Sequence, residues 1–117
     1  MSYSAKGDGK LKIKKENIPA ALEASGFSFD EGMGHNEISE MLENETGFSV
    51  YFDSDGNIYK TIFVYNYFDS DEVQEFLESI APYVESGSCI SFEGEDGDCW
   101  DYDFDGDTVS GGPHDDW

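Results

Sequence analysis

Residues 98–105, Asp-Cys-Trp-Asp-Tyr-Asp-Phe-Asp, constrain the fold more than any other stretch of the chain. Trp100, Tyr102 and Phe104 alternate with Asp101, Asp103 and Asp105. Successive side chains of an extended strand point to opposite faces, so a strand here has one aromatic face and one acidic face. Such a strand belongs in a sheet packed on one side and solvated on the other, as antiparallel sheets are. Its partner is the preceding run Cys89–Glu93. Matching the two arms by burial sets Trp100 opposite Phe92 and Tyr102 opposite Ile90, with a five-residue loop at Gly94–Asp98. That register puts Cys99 opposite Glu93 and Cys89 opposite Asp103. The two cysteines then share a face but lie too far apart along the hairpin for disulfide geometry, and both are expected as free thiols.

The rest of the chain supplies the layer that covers the aromatic face. Residues 10–15 (KLKIKK) alternate apolar and charged and read as a half-buried strand, with residues 1–9 as a loose lead-in. Asn17 and Pro19 open a helix whose face is Ile18, Ala21 and Leu22, and Gly26 stops it. A loop over 27–35 leads to a second helix, capped by Asn36, with Ile38, Met41 and Leu42 on one face and Gly47 at its end. Residues 48–53 alternate again. Asp55-Gly56 marks a hairpin turn, and the return run 57–67 is apolar on both faces, as a central strand is. Ser70 or Asp69 caps a third helix, acidic in its first turn, with Val73, Phe76, Leu77 and Ile80 at i, i+3, i+4, i+7 and Pro82 beyond it. The order is β-α-α-β-β-α-β-β. It predicts an α+β fold: a mostly antiparallel sheet of about five strands with two or three helices on one face, in the manner of a split βαβ unit. Residues 1–109 are expected to form a single domain and 110–117 a flexible acidic tail.

Charge bounds the function. The 117 residues carry 27 Asp and Glu against 6 Lys, with no Arg, for a net charge of −21. Five lysines (Lys6, Lys10, Lys12, Lys14, Lys15) lie in the first 15 residues with only Asp8 opposing them, and 26 acids stand against Lys60 alone thereafter. Direct binding to nucleic acid or an anionic membrane is excluded by repulsion. No run approaches the ~20 apolar residues of a membrane span, and the first 15 residues lack the apolar core of a signal peptide. Two cysteines are too few for a disulfide framework, which points to a reduced, cytoplasmic protein.

Catalytic and metal motifs fail one by one. Asp101-x-Asp103-x-Asp105-Gly106 matches the first half of a calcium loop, but Thr108 and Gly112 occupy the positions that need an aliphatic residue and a bidentate Glu. His35 and His114 have no Cys or His partners at zinc spacing. There is no nucleophile elbow, phosphate loop or dinucleotide fingerprint, and without Arg no rigid fork for an anionic substrate. No cofactor or metal is expected, and no enzymatic activity.

The closing stretch Gly87-Ser-Cys-Ile-Ser-Phe-Glu-Gly-Glu-Asp-Gly-Asp-Cys-Trp100, followed by Phe104-Asp-Gly106, resembles the end of a family of small acidic, mostly uncharacterised proteins of bacteria and their mobile elements. That family's pattern is similar to GSxIxFxGEDGxxW. The earlier pieces LKIKKENIPAALEA and APYVESGS resemble it too, so the likeness spans most of the chain. It implies a fold and no catalytic residue. This chain departs from it at Asp101, where the family tends to place Arg.

Carboxylates at i, i+2 and i+4 of a strand are ~6.7 Å apart, close to the through-space spacing of phosphates along one nucleic-acid strand. A net charge of magnitude ~2–8 suffices for the solubility of a small domain, so solubility does not account for this one. The charge pattern resembles that of phage anti-CRISPR and DNA-mimic proteins. The expected function is therefore a non-enzymatic, nucleic-acid-mimicking inhibitor of the anti-CRISPR or other phage anti-defence type. Its partner would be a basic nucleic-acid-binding protein such as a CRISPR effector or restriction nuclease, met in the host cytoplasm by a monomer or homodimer. The expected contact residues are Glu93, Glu95, Asp96, Asp98, Asp101, Asp103, Asp105 and Asp107. A second acidic surface comprises Glu37, Glu40, Glu43, Asp71, Glu72 and Glu75. Two other classes fit the composition: an immunity protein or antitoxin that neutralises a basic toxin through aromatic anchors such as Tyr51, Tyr65 or Trp117, and a calcium-responsive acidic module.

Overall fold

In a computed structural model of the protein, the structure describes residues 4–30, 32–65 and 70–112. The chain forms β1 (Ala5–Ile13), a short 3-10 turn, α1 (Ile18–Ala24), α2 (His35–Thr46), β2 (Phe48–Phe52), β3 (Ile58–Tyr65), α3 (Ser70–Ile80), a second 3-10 turn, β4 (Cys89–Gly94), β5 (Cys99–Phe104) and β6 (Val109–Gly111). The six strands make one sheet in the order β2-β3-β1-β4-β5-β6. Every neighbouring pair is antiparallel. Strands β1 and β2 therefore run parallel with β3 between them, the split βαβ arrangement, with β5 and β6 added beyond β4. The fold is α+β as expected, with six strands rather than five.

The sixth strand comes from residues assigned to the tail. Val109, Ser110 and Gly111 pair with Phe104, Asp103 and Tyr102, so the boundary drawn after residue 109 falls inside β6. Residues 113–117, including His114 and Trp117, lie outside the described residues, as do Asn66–Asp69 and with them the alternative cap Asp69. The run read as a central strand is one, since β3 is flanked by β1 and β2. One of the sheet's two edges, β2, is covered by α2. Thr46 Oγ1 accepts the Phe48 N–H and Ser39 Oγ accepts the Val50 N–H, both at 3.2 Å. Edge groups satisfied in this way do not template a further strand.

The largest departure from expectation is β1. Residues 5–9 are not a lead-in but the first half of a nine-residue strand, and that strand is the centre of the sheet. The glycines that disguise it have a packing reason. A Cβ on Gly7 would lie 2.9 Å from the Phe92 ring, and one on Gly9 would lie 2.2 Å from the Cys89 carbonyl oxygen. Their missing side chains let Phe92 lie over β1 and let β4 approach it closely. Phe92 is then the hub of the core. It stacks on Trp100 at 5.7 Å, meets Tyr102 edge-on at 5.4 Å and leans on Phe63 at 5.2 Å.

The helices cover this aromatic face. Ile18, Ala21 and Leu22 of α1, Ile38 and Leu42 of α2, and Val73, Leu77 and Ile80 of α3 are buried, as their spacing predicts, while Met41 and Phe76 of the same predicted stripes are only partly buried. Each of the Ile, Leu and Val side chains among them contributes about 1.5–3 kcal/mol by leaving water. Gly26 and Gly47 end α1 and α2 at positive φ. Residue Asn36 does not cap α2. That helix begins at His35, two residues earlier than an Asn36 cap would set it, with Gly34 as N-cap, and His35 stacks on Phe52 at 4.0 Å. Asn17 holds the N-cap position of α1, although its side chain makes no capping hydrogen bond.

Candidate partner-binding surface

One face of the sheet packs on the helices and the other is open. Burial alternates residue by residue along β5 (Trp100, Tyr102 and Phe104 buried; Cys99, Asp101 and Asp103 exposed) and along β4 (Ile90 and Phe92 buried; Ser91 and Glu93 exposed). The β4–β5 register is the one the sequence predicts: Phe92 faces Trp100, Ile90 faces Tyr102, Glu93 faces Cys99 and Cys89 faces Asp103. Both cysteines are free.

Asp101 and Asp103 therefore stand side by side on the open face of β5, about 6.7 Å apart. Asp105 does not continue the row. The strand ends at Phe104, and Gly106 at φ 98° turns the chain. The Asp105 carboxylate is spent on that turn: Oδ1 accepts the Asp107 and Thr108 N–H groups at 2.9 and 2.7 Å, and Oδ2 accepts the Thr108 hydroxyl at 3.0 Å. The Thr108 N–H leads in holding its carboxyl below the usual carboxylate range. Asp107 is exposed beside it.

At the other end of β5, the loop closes with Gly94 N–H donating to the Asp98 carbonyl at 2.8 Å. There Asp96 Oδ1 accepts the Asp98 N–H, and Glu95 Oε1 accepts the Ser4 N–H. Glu95, Asp96 and Asp98 are all exposed. The predicted acids thus form a strip that follows β5 from Asp98 to Asp105, about 23 Å long, with turn carboxylates at each end and the strand pair at its middle. Glu93 lies one strand inward, where it meets Lys6 at 3.9 Å.

The lysines are the feature the sequence places incompletely. Because β1 is central and begins at Ala5, Lys6, Lys10 and Lys12 form a ridge down the middle of the open face, joined by Lys60 of β3 opposite Lys10. Asp8, opposite Ser91 and so two strands from Asp101, adds a carboxylate to the same face. The signal for both was present in residues 5–13, where every even position is charged, once the glycines are counted as inward-facing. Beyond the ridge, Tyr51 and Tyr59 are the large exposed aromatics among the described residues, with Lys60 Nζ 5.6 Å from the Tyr51 ring centre. The open face thus runs from acid, through lysine, to tyrosine.

The helix layer is different. Glu37, Glu40 and Glu43 of α2 and Asp71, Glu72 and Glu75 of α3 are exposed, and no lysine lies in any of the three helices. The field on the acid strip is registered by Cys89. Burial first, then the hydrogen bond and charge of Asp103 and the charge of Asp101, push its thiol up to about 11. Among the described residues no group of three or more His, Cys, Asp or Glu is placed to hold a metal ion, and no helix is long and apolar enough to cross a membrane. Comparison with protein-family models, with curated proteins and with solved structures finds no match.

Proposed function

We propose that the protein is a non-enzymatic inhibitor that mimics nucleic acid, acting in the cytoplasm of a host cell as an anti-CRISPR or other anti-defence protein. The observation that carries this reading is the β5 strip: Asp101 and Asp103 stand at phosphate-like spacing on the open face, flanked by exposed Asp98 and the turn carboxylate of Asp105, with no lysine between Asp98 and Asp105. Carboxylates in such a row accept hydrogen bonds from the lysines and arginines of a nucleic-acid groove, and the long-range field speeds encounter at low salt. The partner is a basic nucleic-acid-binding protein such as a CRISPR effector or restriction nuclease.

The test is capture of candidate nucleases on the immobilised protein at low salt, followed by elution with duplex DNA. A mimic releases its partner to DNA and loses it in the double reversal Asp101→Lys/Asp103→Lys. That variant stays folded, because both side chains are exposed and their charge repels the rest of the chain. Capture that survives the reversal would sink the assignment to β5. A second reading, an immunity protein or antitoxin, is favoured by one observation, the exposed Tyr51 and Tyr59 on the same face. A partner held through those aromatics would resist DNA elution and be lost in Tyr51→Ala.

A further inference from the structure

The helix layer contains a groove of about 470 Å³ between the C-terminal ends of α1 and α2 on one side and α3 on the other. Its floor is aromatic. Phe27 and Phe76 are partly buried there, above Phe48 and Phe63, which water does not reach. Its rim carries Glu45, Glu72 and Glu75, and among the described residues no basic one lines it. The last turns of α1 and α2 contain no basic residue either. A helix C-terminus carries partial negative charge, which favours a cation and disfavours a carboxylate. Glu45 occupies that disfavoured place in the last turn of α2. Its position therefore works against the helix and adds to the negative charge over an apolar floor.

A site of this kind fits a side chain with a flat cationic head and an apolar stem. We infer that the groove docks an arginine side chain presented by a basic partner protein. The guanidinium lies among the rim carboxylates, and its planar face and methylenes rest on Phe27 and Phe76. Lysine fits less well, since its compact and strongly hydrated ammonium does not stack on a ring as a guanidinium does. The groove belongs to the helix-covered side of the sheet and the β5 strip to the open side, so this inference stands or falls independently of nucleic-acid mimicry.

The test is a titration of the full-length 15N-labelled protein with N-acetyl-arginine amide, its neutral isostere N-acetyl-citrulline amide, and N-acetyl-lysine amide, read by amide shifts. Arginine should give saturable shifts at Gly26, Phe27, Thr46 and Phe76, citrulline none there, and lysine weaker binding than arginine. Glu45→Gln and Glu75→Gln should each weaken arginine about two- to fivefold, the range for exposed ion pairs. Phe27→Ala should remove the preference for arginine over lysine. Should a variant fail to fold, the arginine and citrulline comparison on the unaltered protein decides. Shifts that do not saturate, that centre on Asp101 and Asp103, that appear equally with citrulline, or that ignore both glutamate substitutions in folded variants would overturn the inference.

Discussion

Cys89 can be used to measure the field of the acid strip without any partner. Its thiol faces Asp103 across the β4–β5 ladder, and burial together with Asp103 and Asp101 raises it to about 11. At pH 8 a thiol with that value is ionised in about one molecule in a thousand, against about a quarter for an unperturbed cysteine. Alkylation proceeds through the thiolate, so Cys89 should react slowly with iodoacetamide while the exposed Cys99 serves as an internal reference. Asp103→Asn removes the neighbouring charge and leaves the burial in place. One unit of recovery is tenfold in thiolate, so a gain of roughly three- to tenfold in the Cys89 rate is expected, with Cys99 unchanged. About 1 M salt should accelerate the wild type more than the variant, because only the wild type has the Asp103 charge to screen. Peptide mass spectrometry reads both sites at once. A Cys89 rate within about twofold of wild type would mean that Asp103 does not face it, and the geometry of the strip would be wrong. The linkage has a definite sign. The folded thiol holds its proton more tightly than the unfolded one, so its contribution leaves stability unchanged below about pH 8.5 and lowers it as pH rises towards about 11.

Three further outcomes test the fold beneath the site. Gly9→Ala sets a methyl group 2.2 Å from the Cys89 carbonyl oxygen and 2.7 Å from the Ile90 Cα, backbone atoms that cannot turn aside, and should cost about 3 kcal/mol or more. Gly7→Ala meets the Phe92 ring at 2.9 Å and should cost less, about 1–2 kcal/mol; equal losses in urea denaturation would contradict the central pairing of β1 and β4. Ser88→Ala removes the buried hydroxyl that accepts the Lys12 N–H at 3.1 Å and should cost about 1–3 kcal/mol, so an unchanged denaturation midpoint would show that the bond is dispensable. Asp53 is held below the usual carboxylate range chiefly by the Asn57 N–H, and Asp105 by that of Thr108. Their folded values are depressed, so the turns they organise keep this support above pH ~3.9 and lose it as pH falls through the lower folded values. NMR carboxyl titration should place both midpoints below ~3.9, and a midpoint at or above that value would refute the turn geometry.

What could be read in advance follows from the range of the interactions. The β5 alternation is local, and burial of three aromatics against two apolar partners leaves one register that satisfies every pair; the observed ladder is that register. The helix stripes and the Gly26 and Gly47 stops are local in the same sense, fixed by 3.6-residue spacing and by the freedom of glycine at positive φ. The start of β1 was hidden because Gly7 and Gly9 carry no hydrophobic signal. They are inward-facing only in relation to Phe92 and the β4 backbone, 80 or more positions away in the chain. Strand β6 was hidden because three residues, two of them polar or glycine, form a strand only where Asp103 and Tyr102 offer an edge.

The candidate site divides along the same line. A strand's two-residue period acts over nearest neighbours, and it is enough to put Asp101 and Asp103 on one exposed face, Cys89 opposite Asp103 and the aromatic side of the hairpin in the core. Long-range packing sets the rest: the lysines run through the middle of the open face, and Glu45, Glu72 and Glu75 surround an aromatic floor. Those juxtapositions depend on which strand becomes central and where helices end against one another. Both are set by long-range packing, in which each segment's place is chosen by partners far along the chain.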